Sequence, residues 1–176
     1  MAKQFIVVSG LPGSGKTTLA LRLGAALSLP VIDKDAILDR LLEREGAVDE
    51  FSRQRLSRKS DVFFEAAAIA SGGAILVSHW RVPGMRRDSG TPTDWLADWD
   101  LVNVHCVCSP EIAAARYLAR TRHPGHLDGN KTQAELVEEF RALERLGPPR
   151  IEPSISVDTS QEPGLEPLLR ALQSPR

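Results

Sequence analysis

Gly10-Leu11-Pro12-Gly13-Ser14-Gly15-Lys16-Thr17 is a G-x-x-x-x-G-K-[ST] run. An apolar stretch, Phe5-Ile6-Val7-Val8, precedes it, and Leu19-Ala20-Leu21-Arg22-Leu23 follows it. A buried strand entering such a loop and a helix leaving it are the setting in which the run forms a phosphate-binding P-loop. The glycines let backbone N–H groups turn inward around an anion. The helix N-terminus adds its partial positive charge at the same place. Lys16 is expected to reach the β- and γ-phosphates, and the Thr17 hydroxyl to ligate Mg²⁺. Gly10, Pro12, Gly13, Ser14, Gly15 and Thr18 complete the expected triphosphate cradle. The competing reading, a glycine-rich strand–helix turn without a ligand, leaves the Lys-Thr pair and the two flanks unaccounted for.

A chain of 176 residues suits one domain, expected to span 1–176. Its 22 Lys+Arg nearly balance 23 Asp+Glu, so nothing global points to nucleic acid or to an acidic membrane. Cys106 and Cys108 lie on an apolar run and are expected to share one strand face as buried, reduced thiols, which suits a cytoplasmic setting. With Met1-Ala2-Lys3-Gln4 running straight into the first strand, no signal peptide is expected. No apolar stretch is long enough to span a bilayer.

Outward from the loop, strand and helix alternate. Val31-Ile32 is a short strand that delivers Asp33-Lys34-Asp35 at its C-terminal end, the edge at which open α/β sheets bind ligands. A helix over about 36–45 follows and stops at Gly46. The next helix, about 49–70, is expected to bury Phe51, Val62, Phe63, Ala66, Ala67, Ile69 and Ala70. Arg53, Arg55, Arg58 and Lys59 crowd its first half, as a solvated basic face or as a positive wall toward an anionic substrate. Ala74-Ile75-Leu76-Val77 is a third strand, opening into an irregular segment with His79, Trp80, Arg81, Arg86 and Arg87. Trp95 and Trp99, four apart, read as core packing. Residues 101–107 form a fourth strand. Ser109 caps the following helix with Pro110 at its first position. That helix is expected to carry Arg116, Arg120 and Arg122, and His123-Pro124-Gly125-His126 to break it at a lid of about 120–132. Thr132-Gln133-Ala134-Glu135 is a capping box for another helix. Ile155-Ser156-Val157 and a last helix over about 164–173 close an α/β fold, a parallel sheet covered on both faces.

The rest of the sequence narrows what the loop does. A guanine-reading Asn-Lys-x-Asp is absent, since Asn130-Lys131 is followed by Thr132-Gln133, and so is a switch Asp-x-x-Gly. The third strand ends in Ser78-His79 rather than in the acidic pair of a motor ATPase. Phosphoryl transfer to an alcohol needs a group that orients the hydroxyl and accepts its proton. Asp35 is the candidate base, with Asp33 as second candidate or as a water-mediated Mg²⁺ contact. Asp35 is also placed to cap the helix before Ala36. Arginines on a movable flap answer the charge of a dissociative transition state, which makes Arg120 a catalytic candidate and Arg116 and Arg122 phosphate-binding ones. His79, Trp80, Arg81, Arg86 and Arg87 are acceptor-site candidates. His126 is expected to contact substrate or to stay solvated, since two histidines without a carboxylate or cysteine cluster make a poor metal site.

Gly10–Thr17, Asp33-Lys34-Asp35, the arginine-bearing helix with its lid, and Val157-Asp158-Thr159 together resemble the P-loop small kinase group, which includes chloramphenicol phosphotransferase, the zeta toxins, gluconate kinase and the kinase domain of bacteriophage polynucleotide kinase. The resemblance implies a P-loop NTPase fold with sheet order 2-3-1-4-5. It also implies Asp35 as activator of the acceptor hydroxyl, lid arginines on ATP phosphates, and Asp158 near the adenine. Polynucleotide-kinase-like members often carry an arginine three positions beyond the catalytic Asp, where this chain has Leu38. The expectation is therefore an ATP- and Mg²⁺-dependent kinase of a small-molecule hydroxyl. The alternatives are a 5′-hydroxyl polynucleotide kinase and a nucleotide-binding protein without transferase activity.

Overall fold

The computed structural model describes residues 4–46, 49–86, 89–121, 123–126 and 131–173. Its strands are β1 (Phe5–Gly10), β2 (Val31–Asp33), β3 (Ala74–Val77), β4 (Leu101–Val107) and β5 (Ser154–Asp158). Its helices are α1 (Lys16–Leu27), α2 (Lys34–Glu45), α3 (Glu50–Ser71), α4 (Pro110–Leu118), α5 (Gln133–Leu146) and α6 (Leu165–Gln173), with 3-10 turns at Asp94–Leu96 and Pro124–His126. Every strand pairs in parallel, in the order β2-β3-β1-β4-β5. This is the order the resemblance implies, and it sets the C-terminal ends of β2, β3 and β1 side by side.

Side chains alternate across a strand, so β1 feeds two cores. Ile6 and Val8 pack with Leu19 and Leu23 of α1 and Leu168 and Leu172 of α6. Phe5 and Val7 pack with Phe64 and Ala68 of α3 and with Leu76, Trp80 and Leu96. Trp95 and Trp99 stand edge to face, 5.2 Å between centroids, and Trp99 lies 4.3 Å from Phe5, so the pair is core. Among the described residues no helix is long and apolar enough to cross a membrane.

Three expectations are corrected. The buried seam of α3 is Leu56, Ser60, Phe64 and Ala68, while Phe51, Val62, Phe63 and Ile69 are 79 %, 66 %, 47 % and 57 % exposed. Of the other three expected there, Ala66 and Ala70 are exposed and Ala67 is half-buried. The seam repeats every four residues through a serine, so hydrophobicity alone selects the wrong stripe. The cysteines are both buried but do not share a strand face. Cys106 packs in the α1 core, whereas Cys108 lies past the end of β4 and packs with Ala113, Ala114 and Phe140. The arginine-bearing helix also ends early. α4 stops at Leu118, so it carries Arg116 and leaves Arg120 beyond its last turn.

Candidate active site

The loop from β1 to α1 is shaped by its glycines. Gly13 and Gly15 sit at φ 79° and 89°, in the left-handed region. A Cβ on Gly13 would stand 2.1 Å from the Ala113 carbonyl oxygen, so only glycine lets the loop pass this close to α4. Gly15 is the N-cap of α1 and supplies no side-chain cap, which leaves the first-turn N–H groups for another acceptor. The Ser14 hydroxyl is buried in the loop with no hydrogen-bond partner. An orphaned donor beside uncapped amides fits an anion such as a phosphate. Lys16 Nζ donates to the carbonyls of Gly10 (3.0 Å) and Leu11 (2.7 Å). Burial lowers its pKa, against the opposing charges of Asp35 and Asp33.

The end of β2 meets this loop. Thr17 Oγ1 donates to Asp33 Oδ2 at 2.8 Å. Asp33 Oδ1 accepts the Asp35 N–H at 2.9 Å and is the N-cap of α2. The helix therefore starts two residues earlier than expected, and capping falls to Asp33, not Asp35. Desolvation raises the Asp33 pKa against the Thr17 hydrogen bond. A threonine hydroxyl touching a carboxylate fits Mg²⁺, which takes few protein ligands and keeps several waters. Among the described residues no group of three or more His, Cys, Asp and Glu side chains gathers for a metal ion.

A cavity of about 830 Å³ opens over these residues. Pro12, Gly13, Gly15, Lys16, Thr17, Thr18, Asp33, Asp35, His79, Arg116, Arg120 and His126 all line it, so most of the expected site comes together. Burial, and then the charge of Lys16, pushes the His79 pKa down to about 4, so its ring is neutral at pH 7. Arg116 donates to the Thr159 and Ser160 carbonyls, both at 2.8 Å, which anchors the guanidinium at the cavity wall. His126 Nε2 pairs with Asp39 Oδ1 at 2.5 Å, so this buried histidine ties the 3-10 turn to α2 as well as lining the cavity. Of the basic run on α3, Arg53 and Arg58 reach the cavity, while Arg55 and Lys59 pair with Glu45.

Other expected residues lie elsewhere. Trp80 is 3 % exposed, donates Nε1–H to the Val8 carbonyl at 3.0 Å and packs under the site. Arg81 braces its own loop through the Ser89 and Gly90 carbonyls. Arg86 is exposed and lines no part of the cavity. Asp158 is exposed, accepts the Ser160 N–H at 2.8 Å, and is also outside the cavity wall. Arg87, Arg122 and the lid residues Leu127, Asp128, Gly129 and Asn130 lie outside the described residues.

Sequence reasoning gave no role to Lys34, which is 7 % exposed and lines the cavity. Its Nζ meets Asp61 Oδ1 of α3 at 2.5 Å. Thr91 Oγ1 donates to the same oxygen at 3.2 Å and shares a 2.6 Å hydrogen bond with Ser78. Arg58 Nη1 stands 3.0 Å from Asp61 Oδ2, close enough for an ion pair but off hydrogen-bond alignment, since that oxygen has no hydrogen-bond partner. Asp61 thus joins α2, α3 and the segment after β3. A lysine between two aspartates was the available signal, but its partner lies 27 positions away.

Residues 5–145 match a family model described as an AAA domain. A shikimate kinase of Mycobacterium ulcerans is 30 % identical over 177 aligned residues, covering 92 % of this chain and 83 % of that one. A shikimate kinase of Corynebacterium glutamicum is 32 % identical over 76 residues, covering 43 % of this chain and 45 % of that one. Among solved structures, a candidate kinase from Chloroflexus aurantiacus superimposes with a TM-score of 0.79 at 26 % identity, covering 98 % of each chain. A gluconokinase from Sinorhizobium meliloti, 21 % identical, shares the fold with a TM-score of 0.58, covering 97 % of this chain and 90 % of that one. With the P-loop, the sheet order and the acidic end of β2 in place, the chain belongs to the AAA-domain family, in the P-loop small kinase group.

Proposed function

We propose that this protein is a kinase that moves the γ-phosphate of ATP to a hydroxyl of a small molecule, with Mg²⁺. The observation that carries the reading is the meeting of Lys16 and Thr17, Asp35 and Arg120 on one cavity. A P-loop without Asp35 and Arg120 would serve binding alone; with them it has the parts of a transferase. The acceptor oxygen forms its bond to the γ-phosphorus as the bond to the β–γ bridging oxygen breaks. ADP leaves, and the hydroxyl proton passes to the Asp35 carboxylate. The loop amides and Lys16 hold the β- and γ-phosphates, and Arg116 and Arg120 spread the developing charge. When bound, Mg²⁺ would be held by Thr17 and, through water, by Asp33, and would neutralise the phosphate oxygens. On the α2–α3 wall Arg53 pairs with Glu50, and Lys34 and Arg58 share Asp61, which supports an acceptor with a polar portion there. The relatives named shikimate kinase support a small-molecule acceptor. We read the chain as one domain working in the cytoplasm.

The test is Asp35→Asn. ATP binding should persist while the transfer rate falls by about 10²–10⁴-fold. Intact turnover in this variant overturns the mechanism. Label from ATP appearing on oligonucleotide 5′ ends, and on no small hydroxyl compound, overturns the acceptor class.

A further inference from the structure

A second cavity, of about 150 Å³, lies behind the P-loop. It sits between the ends of β1 and β4, the segment after β3 and the C-terminal end of α5, and nothing above gives it a role. Its apolar walls are Trp80, Val82, Met85, Leu143, Pro148 and Pro149. A cavity of this size with largely apolar walls has room for one benzene-sized ring. His79 and Leu143 belong to the walls of both cavities, so the two spaces share a boundary.

Apart from Glu144, the polar side chains described in this wall are neutral. Ser9 Oγ donates its one proton to Asn103 Oδ1 at 2.7 Å, and Asn103 Nδ2 donates onward to Ser154 Oγ at 2.9 Å. Ser9 Oγ therefore accepts from His105 Nδ1–H at 2.9 Å, and Nε2 is left as the acceptor nitrogen of the ring. Burial, and then Lys16, lowers the His105 pKa as it does that of His79, so neither ring brings a charge at neutral pH. Glu144, the one ionised group of the wall, is an exposed residue. Such a wall rejects an anion and accepts an apolar group, with His105 able to take one hydrogen bond.

We propose that this cavity holds a ring-sized apolar end of the phosphoryl acceptor, whose hydroxyl lies on the Asp35 side of His79. The inference rests on the kinase reading and deepens it. The acceptor is amphipathic: a polar portion faces the Arg53–Glu50 and Arg58–Asp61 pairs, a hydroxyl faces Asp35, and one aromatic or branched aliphatic group lies behind the P-loop. Shared walls at His79 and Leu143 make one ligand across both spaces the economical arrangement.

The test uses the full chain with a non-hydrolysable ATP analogue and two probes, benzyl alcohol and ethanol, read by backbone amide shifts. Benzyl alcohol should give saturable shifts at Val82, Met85 and Gly147, and ethanol none. Met85→Trp, which fills the cavity, should weaken benzyl alcohol binding by about tenfold or more. Val82→Phe is the second filling variant, and nucleotide affinity measured on each reports that it is folded. With ATP, benzyl alcohol should form benzyl phosphate, or compete with the hydroxyl compounds that accept label. Shifts confined to other residues, an equal response to ethanol, or unchanged binding in both folded variants overturn the assignment. Saturable binding without transfer or competition makes the cavity a separate site and overturns it too. Failure of the kinase reading shows differently, as a parent that transfers label from ATP to no hydroxyl compound, whatever the ring does.

Discussion

Asp33 and Asp35 are the same residue type two positions apart, and the backbone gives them different work. Asp33 is the last residue of β2 and the cap of α2, with one oxygen on the Asp35 N–H and the other on Thr17. Asp35, inside the first turn, is turned to the cavity. His79 is the third such residue, held neutral so that it adds no charge beside Lys16. Its folded pKa of about 4 lies below the ordinary 6.5. Between those values the unfolded chain binds more protons, so this contribution is complete above pH 6.5 and is lost as pH falls toward 4. His79→Gln removes the titration. Urea unfolding at pH 7 and pH 4.5 should then show a smaller acid loss in the variant than in the parent, and equal losses would mean that His79 titrates normally.

Elements meet the site through ties that sequence patterns carry only in part. Ser109, Thr132 and Glu135 cap α4 and α5 as their spacing predicts, because a cap is a local hydrogen bond read from adjacent residues. The cap of α2 is harder to read: Asp33 and Asp35 are both good N-cap residues, and only the strand's length decides between them. The α3 seam is misread because Val62, Phe63 and Ile69 outweigh a stripe that includes Ser60. Asp61 is illegible because its meaning lies in Lys34 and Thr91, far off in sequence. Removing it should be costly. Asp61→Ala strands Lys34, whose side chain is 8 % exposed, and should destabilise the protein by about 3–5 kcal/mol. Lys34→Met with Asp61→Leu should recover most of that loss, since a paired apolar replacement leaves no buried charge. Denaturant unfolding checks both, and a double variant as unstable as Asp61→Ala would place the cost in packing instead.

At the scale of the molecule, the β2-β3-β1-β4-β5 order explains how residues spread over the chain come to one cavity. The P-loop and the alternating elements make the parallel α/β sheet legible from sequence and the family resemblance implies its order, whereas Trp80 and Arg81 share a loop with His79 yet turn into the core and onto their own backbone. The two sides of the site are tied by Thr17–Asp33 and His126–Asp39. A nucleotide that binds the folded loop alone adds stability by mass action, about 2.7 kcal/mol at one hundred times its dissociation constant. For a chain of this size that is about 5–10 °C in melting temperature. Mg²⁺ with a non-hydrolysable ATP analogue should produce this shift in the parent. In Asp61→Ala the shift should persist from a lower starting point, because the tie is not a phosphate contact. In Lys16→Ala it should vanish, because the cation that the proposed function puts on the phosphates is gone while the core beneath is intact. A full shift in Lys16→Ala would place the nucleotide away from the P-loop, and the assignment of the cavity would fall with it.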